Sequence, residues 1–161
     1  MTRSVRRLPP YRQSLAGGLL AAREAVMAPI RPMLRAAGVT EQQWRALRVL
    51  VDEGPTDTSH LARAALLHAP SLTRILRELV DRGLVERRVD PQDGRRSIIA
   101  VSPSGRSLVD RTAVHTMAML DEYERRFGGD RLAALRRELV DLARAISSLV
   151  GDDEAAKRDF G

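Results

Sequence analysis

Apolar residues recur at three- and four-residue steps over most of the chain, and only one central stretch is built differently. Between Tyr11 and Ala37 the helical spacing is kept by Leu15, Leu19, Leu20, Ala22, Val26 and Met27. Gly17–Gly18 is a weak spot in that helix, and Pro29 and Pro32 each remove a backbone donor, so a kink or interruption is expected there. Gly38 supplies a stop. Thr40 then opens a second helix as N-cap, and Gln43 three residues on completes a capping box. Its apolar positions are Trp44, Leu47, Val49, Leu50 and Val51, and Gly54–Pro55 ends it.

Ser59 to Leu67 reads as a short helix capped by Thr58 or Asp57. After a break at His68–Ala69, Pro70 suits the first turn of the next helix. There Leu72, Ile75, Leu76, Leu79 and Val80 fall at i, i+3, i+4, i+7 and i+8, a full apolar stripe. Gly83 ends it in a left-handed conformation. Leu84–Val89 and Ser97–Val101 are rich in β-branched residues and flank the turn-forming run Asp90-Pro91-Gln92-Asp93-Gly94, which predicts a β-hairpin. Ser102–Pro103 caps and starts a long helix to about Arg126. Gly128–Gly129 breaks it, and Asp130 is expected to cap a last helix through Leu132, Leu135, Leu139, Leu142, Ala143, Ile146 and Leu149. The fold class expected is mainly α with a small β-hairpin wing, in a single domain over 1–161 with flexible ends at 1–10 and 151–161.

Length and composition agree with that. The 161 residues fit one domain with a real core. No apolar run approaches the ~20 residues of a membrane helix. Arg23 and Glu24 interrupt the apolar part of the first thirty residues, with no cleavage pattern after it, so a cytoplasmic protein is expected. The absence of Cys removes disulfides, thiolate metal sites and thiol nucleophiles together. The formal charge is +6, carried by 26 Arg and Lys157 against 21 acids. Its distribution says more than its total. Residues 1–48 hold nine Arg against Glu24 and Glu41, whereas 49–101 balance and 102–161 are slightly acidic. A basic arm with Arg3, Arg6, Arg7 and Arg12 suits phosphate or an acidic membrane face, and equally a solvated terminus.

Helix, short turn, helix and hairpin is the order of a winged helix-turn-helix over about 40–101. Its second helix must pack its apolar stripe inward and leave the other face free. That face carries Ser71, Thr73, Arg74 and Arg77 in the first two turns, where a recognition helix meets the major groove. Arg reads guanine through two parallel hydrogen bonds, Ser and Thr serve phosphates or bases, and the helix N-terminus attracts phosphate. His68 just before it is placed for a phosphate or for plain solvent. The same spacing also suits ion pairs of Arg74 with Glu78 and Arg77 with Asp81 on a solvated face. The hairpin tips the balance, because Arg87 and Arg88 lead into it and Arg95 and Arg96 leave it. An arginine at a hairpin tip can enter the narrow minor groove, with Asp93 steadying Arg95. The expected DNA-binding set is His68, Ser71, Thr73, Arg74, Arg77, Arg88, Asp93, Arg95 and Arg96.

The run Leu79-Val80-Asp81-Arg82-Gly83-Leu84-Val85-Glu86-Arg87, then Pro91, Asp93-Gly94-Arg95-Arg96 and Ser104-Gly105-Arg106, resembles the multiple antibiotic resistance regulator (MarR) family. The element order fits from about Tyr11 to Val150. Val101-Ser102 departs from the family's Leu-Thr and keeps the hydroxyl cap. Ala21-Ala22-Arg23-Glu24-Ala25-Val26-Met27, Arg31-Pro32 and Thr40-Glu41-Gln42-Gln43-Trp44-Arg45 are similar to the subgroup that regulates homoprotocatechuate (4-hydroxyphenylacetate) degradation operons. The resemblance implies a homodimer joined through helices at 11–37 and 103–150. It would repress its operon from a pseudo-palindromic operator and release DNA when a phenolic carboxylate binds. The apolar Ala/Leu faces of 103–125 and 131–149 agree, since such faces on a short chain want a partner.

An aromatic acid needs a cation for its carboxylate and an apolar wall for its ring. Arg23, Arg45 and Arg48 border the expected cleft beside Met27 and Trp44, and Tyr11 adds a hydroxyl. Trp44 and Met27 serve equally as core, and any of the arginines as an ion-pair partner. Arg23 beside Glu24 is the first to test. His60, His68 and His115 lack a metal-ligand spacing, and no nucleophile elbow, P-loop or dinucleotide fingerprint occurs, so neither a metal, a cofactor nor an enzyme is expected. Lack of Cys excludes the thiol-based peroxide sensing of some family members. An architectural DNA-binding protein without an effector, and a module that docks a protein, stay open as alternatives.

Overall fold

The computed structural model describes residues 8–90, 93 and 97–158, with side chains as far as Ser147. The chain divides into two compact units, 1–116 and 117–161. The first holds the winged helix-turn-helix.

The expected first helix is three pieces. A 3-10 turn, Tyr11–Gln13, is followed by α1 (Leu15–Met27) and α2 (Arg31–Ala36). Ser14 caps α1: its Oγ accepts from the Gly17 N–H at 3.0 Å and donates to the Tyr11 carbonyl at 2.6 Å. That fold-back brings the Tyr11 carbonyl against Gly17, where any Cβ would collide with it. Gly17 is therefore required by a close approach, and only Gly18, with open space around it, is a plain weak spot. Pro29 lies in the break and Pro32 in the first turn of α2, where its missing donor costs no helical bond. Gly38, at φ +72°, ends α2.

The capping box at Thr40 and Gln43 forms in both directions and opens α3 (Glu41–Glu53), which ends at Gly54 with φ +85°. Trp44, Leu47 and Leu50 are buried, while Val49 and Val51 are half-buried at the edge. Thr56–Asp57 then forms a short strand, β1, that the sequence did not announce. Asp57, rather than Thr58, caps α4 (Thr58–Ala64) by accepting from the His60 N–H at 2.8 Å. The next helix, α5 (Ala69–Asp81), starts one residue earlier than predicted, with His68 as N-cap and Pro70 in its first turn. Leu72, Ile75, Leu76 and Leu79 are buried; each contributes about 1.5–3 kcal/mol relative to exposure. Val80, the fifth residue of the predicted stripe, stays exposed at 38 %.

Gly83, at φ +65°, turns the chain into β2 (Val85–Val89), which pairs antiparallel with β3 (Ser97–Val101) from Val85↔Val101 to Val89↔Ser97. Strand β1 adds to the other edge of β3, through Thr56↔Ile99 and Asp57↔Ile98, for a sheet order β1-β3-β2. The core of this unit gathers Leu34, Leu47, Leu50, Leu61, Leu72, Ile75, Leu79, Val85 and Ile99. Ser102 caps α6 (Pro103–Phe127): its Oγ accepts from the Gly105 N–H at 3.0 Å and donates to the Gly83 carbonyl at 2.6 Å.

In the second unit Gly128, at φ +95°, separates α6 from α7 (Gly129–Arg158). Helix α7 is under way at Gly129, so Asp130 sits in its first turn instead of capping it, and it continues past Gly151, where a loose tail was expected. Leu135, Leu139, Val140 and Ile146 are exposed along it. Among the described residues no helix is long and apolar enough to cross a membrane.

Candidate nucleic-acid interface and effector cleft

Helix α5 is turned as its stripe requires. With four large apolar side chains inward, Thr73, Arg74 and Arg77 are exposed on its outer side and Ser71 is half-buried at the margin. The Thr73 hydroxyl donates to the Ala69 carbonyl at 3.1 Å, leaving its lone pairs outward. Arg74 does form the i,i+4 pair, with Nη1 donating to Glu78 Oε1 at 3.0 Å, and remains 60 % exposed. His68 is an exposed N-cap whose side chain makes no capping bond. The residue two before it, Leu66, holds φ +53° and is almost fully exposed, so the turn leading to α5 carries backbone strain.

Arg77 faces a cleft of about 420 Å³ between α5 and the sheet, shared with Thr58, Thr73, Asp81 and Arg87 and floored by Leu76 and Ile99. Arg87, which the expected set omits, is a second cation in this cleft. Strand alternation was the signal: Val85 and Arg87 share the face that packs on α5, and Arg87 pairs with buried Ile99. Glu86 and Arg88 lie on the opposite face and ion-pair with each other, so the structure does not bring Arg88 to this cleft. Asp93 is exposed. Arg95 and Arg96 lie outside the described residues.

The effector candidates fall into two groups. Toward the start of α3, Arg23 from α1 pairs with Glu24 at 3.0 Å and with Glu41, while Arg31 from α2 reaches Glu24 at 2.8 Å and Glu41 at 3.3 Å. Two cations and two carboxylates thus tie three helices together. The hydrogen bond from Arg31 holds the Glu24 carboxyl below its ordinary range, and the same bond raises the guanidinium of Arg31. Met27 is half-buried nearby in sequence and Tyr11 is exposed in the 3-10 turn.

One turn along α3, Arg45 and Arg48 are half-buried. Arg45 Nη1 donates to the carbonyl of strained Leu66 at 3.1 Å, whereas Arg48 Nη2 bonds Asp52 at 2.9 Å. The Nε atoms of both are buried and, among the described residues, have no acceptor. Burial, with the charge of Arg23 second, pushes the Arg45 guanidinium below its usual value. Trp44 is buried, with the Arg48 guanidinium 5.8 Å from its ring centre. A buried N–H without a partner is costly, and an anion that reached it would relieve that cost. His60 meets Glu53 at 2.7 Å; among the described residues no three His, Cys, Asp or Glu gather as a metal site would need.

The sequence signature of the MarR family matches residues 37–96, the span from the end of α2 to the hairpin. The HTH-type transcriptional regulator FarR of Neisseria gonorrhoeae is 36% identical over 132 residues, covering 82% of this chain and 90% of FarR. The homoprotocatechuate degradative operon repressor of Escherichia coli is 34% identical over 122 residues, 76% of this chain and 82% of that one. Among solved structures, NadR in complex with 4-hydroxyphenylacetate superposes with a TM-score of 0.76 at 34% identity, over 86% of this chain and 98% of NadR. With the fold, the recognition-helix geometry and relatives matched over most of their length in agreement, the chain belongs to the MarR family of transcriptional regulators.

Proposed function

We propose that this regulator represses a cytoplasmic aromatic-acid catabolic operon and is released from DNA by a phenolic carboxylate. The observation that carries the DNA half is the packing of α5, whose buried Leu72, Ile75, Leu76 and Leu79 leave Thr73, Arg74 and Arg77 outward beside Arg87. The first-turn amides of α5 and His68 meet phosphate, Arg74 and Arg77 read base edges, and Arg95, which follows β2 and precedes β3 in the sequence, enters the minor groove. Two copies related by a two-fold axis present two such helices to successive major grooves about 34 Å apart, which calls for a pseudo-palindromic operator. The exposed apolar residues of α1 (Leu15, Leu19, Leu20) and α7 (Leu135, Leu139, Ile146) supply the dimer surface.

For the effector, the relatives named for homoprotocatechuate and 4-hydroxyphenylacetate support a phenolic acid. Polar accounting favours Arg48 and Arg45 over Arg23 as the carboxylate's partner. Arg23 already has two carboxylates, whereas each of the other two holds a buried Nε with no acceptor among the described residues, and Arg48 also lies over the Trp44 ring. An effector shifts the DNA-binding equilibrium only by its differential affinity for the two spacings of the recognition helices, ordinarily a coupling of about 1–3 kcal/mol.

The test has two arms. Duplexes selected from a randomised pool are titrated at two salt concentrations; a DNA reader loses affinity steeply with salt, and a protein-docking module selects nothing. 4-Hydroxyphenylacetate is then titrated in a thermal melt, where a ligand of the native state raises the melting temperature. A flat melt with intact DNA binding would leave an architectural protein.

A further inference from the structure

Gln43 does more than close the capping box of α3. It is 5 % exposed, and both ends of its amide are committed. Its Oε1 accepts from the Thr40 N–H at 3.0 Å, and its Nε2 donates to Glu78 Oε2 at 2.7 Å, thirty-five residues away on α5. The two partners fix the amide's orientation without ambiguity, because only its oxygen can accept from an N–H and only its nitrogen can donate to a carboxylate. The other oxygen of the same carboxylate, Oε1 of Glu78, holds Arg74 Nη1 at 3.0 Å. At the far end of α5, Arg82 Nη1 donates to the Gly38 carbonyl at 2.8 Å, so α5 is tied twice to the segment that opens α3.

We propose that Gln43 is a positioning residue for DNA reading, acting through Glu78 to hold the guanidinium of Arg74 in the orientation that meets a base edge. This rests on the reading of Arg74 as a base contact. An exposed i,i+4 pair on its own is a loose constraint, since both side chains keep their rotamer freedom. Here the carboxylate is anchored from behind by a buried amide whose other end is locked to backbone. Glu78 therefore presents a fixed oxygen, and Arg74 gives up less freedom when it engages DNA. A fork held in one plane also favours the base whose two acceptors match it over bases that offer one.

The experiment uses the full chain and the duplex selected from a randomised pool, with every single base-pair variant of that duplex. Arg74→Ala first identifies the base pair whose preference Arg74 carries. Gln43→Glu keeps the acceptor for the Thr40 N–H and the helix cap, removes the donor to Glu78 and sets two carboxylates together. The expected result is a loss of discrimination at that base pair of about threefold or more, within the range one bidentate contact supplies. In the Arg74→Ala background the same change should have no further effect on selectivity. Gln43→Met removes the amide without adding charge and gives the same readout if Gln43→Glu folds poorly. A Gln43 change that lowers affinity equally for all duplexes, or persists in the Arg74→Ala background, makes Gln43 a packing residue and overturns the inference alone. If Arg74→Ala leaves every base preference intact, the reading of Arg74 falls and the inference with it.

Discussion

Helices α5 and α7 carry the same kind of amphipathic text and meet opposite fates. In α5 the stripe Leu72, Ile75, Leu76 and Leu79 is covered by the chain's own α3, α4 and sheet, and its polar side with Thr73, Arg74 and Arg77 is left in solvent. In α7 the residues Leu135, Leu139, Val140 and Ile146 keep 40 to 48 % of their surface in solvent. Periodicity announces that a face wants burial but not who provides it. A stripe closed within one chain stabilises a fold; one left open is apolar surface that the proposed second copy would cover.

The sharpest way to break that contrast is to truncate both stripes. Leu79→Ala should destabilise by about 2–5 kcal/mol in urea titration at any protein concentration, because it empties a closed core. Leu139→Glu should instead act on association: sedimentation velocity should show monomer, and the melting temperature should lose its dependence on concentration. A Leu139→Glu protein that remains dimeric would remove α7 from the interface.

Within the proposed reading surface, effects are smaller and directional. Arg87→Ala should weaken the selected duplex about tenfold and lower the slope of log affinity against log salt by about one, as for a phosphate contact beside Arg77. An unchanged slope would confine Arg87 to the cleft wall. Next in size, Arg48→Ala should abolish the melting shift with 4-hydroxyphenylacetate and leave DNA affinity intact, while Arg23→Ala keeps part of the shift. The reverse order would return the effector's carboxylate to Arg23.

The smallest effect concerns acid. The Arg31 hydrogen bond lowers the folded value of Glu24, so its stabilisation is complete above the unfolded value and fades as pH falls through the folded one. The melting-temperature gap between wild type and Glu24→Gln should therefore be widest at neutral pH and close as pH falls from the ordinary glutamate range through the lowered folded value. The pair is exposed, so the gap is small.

The elements legible in the text are those with a local cause. Thr40 with Gln43, Asp57 and Ser102 cap the helices whose starts they mark, and Gly38, Gly54, Gly83 and Gly128 take the left-handed angles that end them. Strand β1 escaped because two residues have no period; only the edge of β3 makes Thr56–Asp57 a strand. Asp130 was misplaced because Gly128 had already turned the chain into the helix. In the hairpin, spacing alone does not tell which sheet face lies on α5, and so which of Arg87 and Arg88 shares its cleft.

By itself the amino-acid order determined the capped starts of α3 and α6, the glycine stops after α2, α3, α5 and α6, which side of α5 seeks burial, and the family to which the chain belongs. Those follow from backbone donors, left-handed angles and spacing, all read within a few neighbours. What the tertiary structure alone decided is partnership: Arg23 with Glu41, Arg45 with the strained Leu66 carbonyl, Gln43 with Glu78 and so with Arg74. Hydrogen bonds and ion pairs act over a few ångströms of space, and residues as far apart in sequence as Gln43 and Glu78 come that close only when the core has set the helices in place.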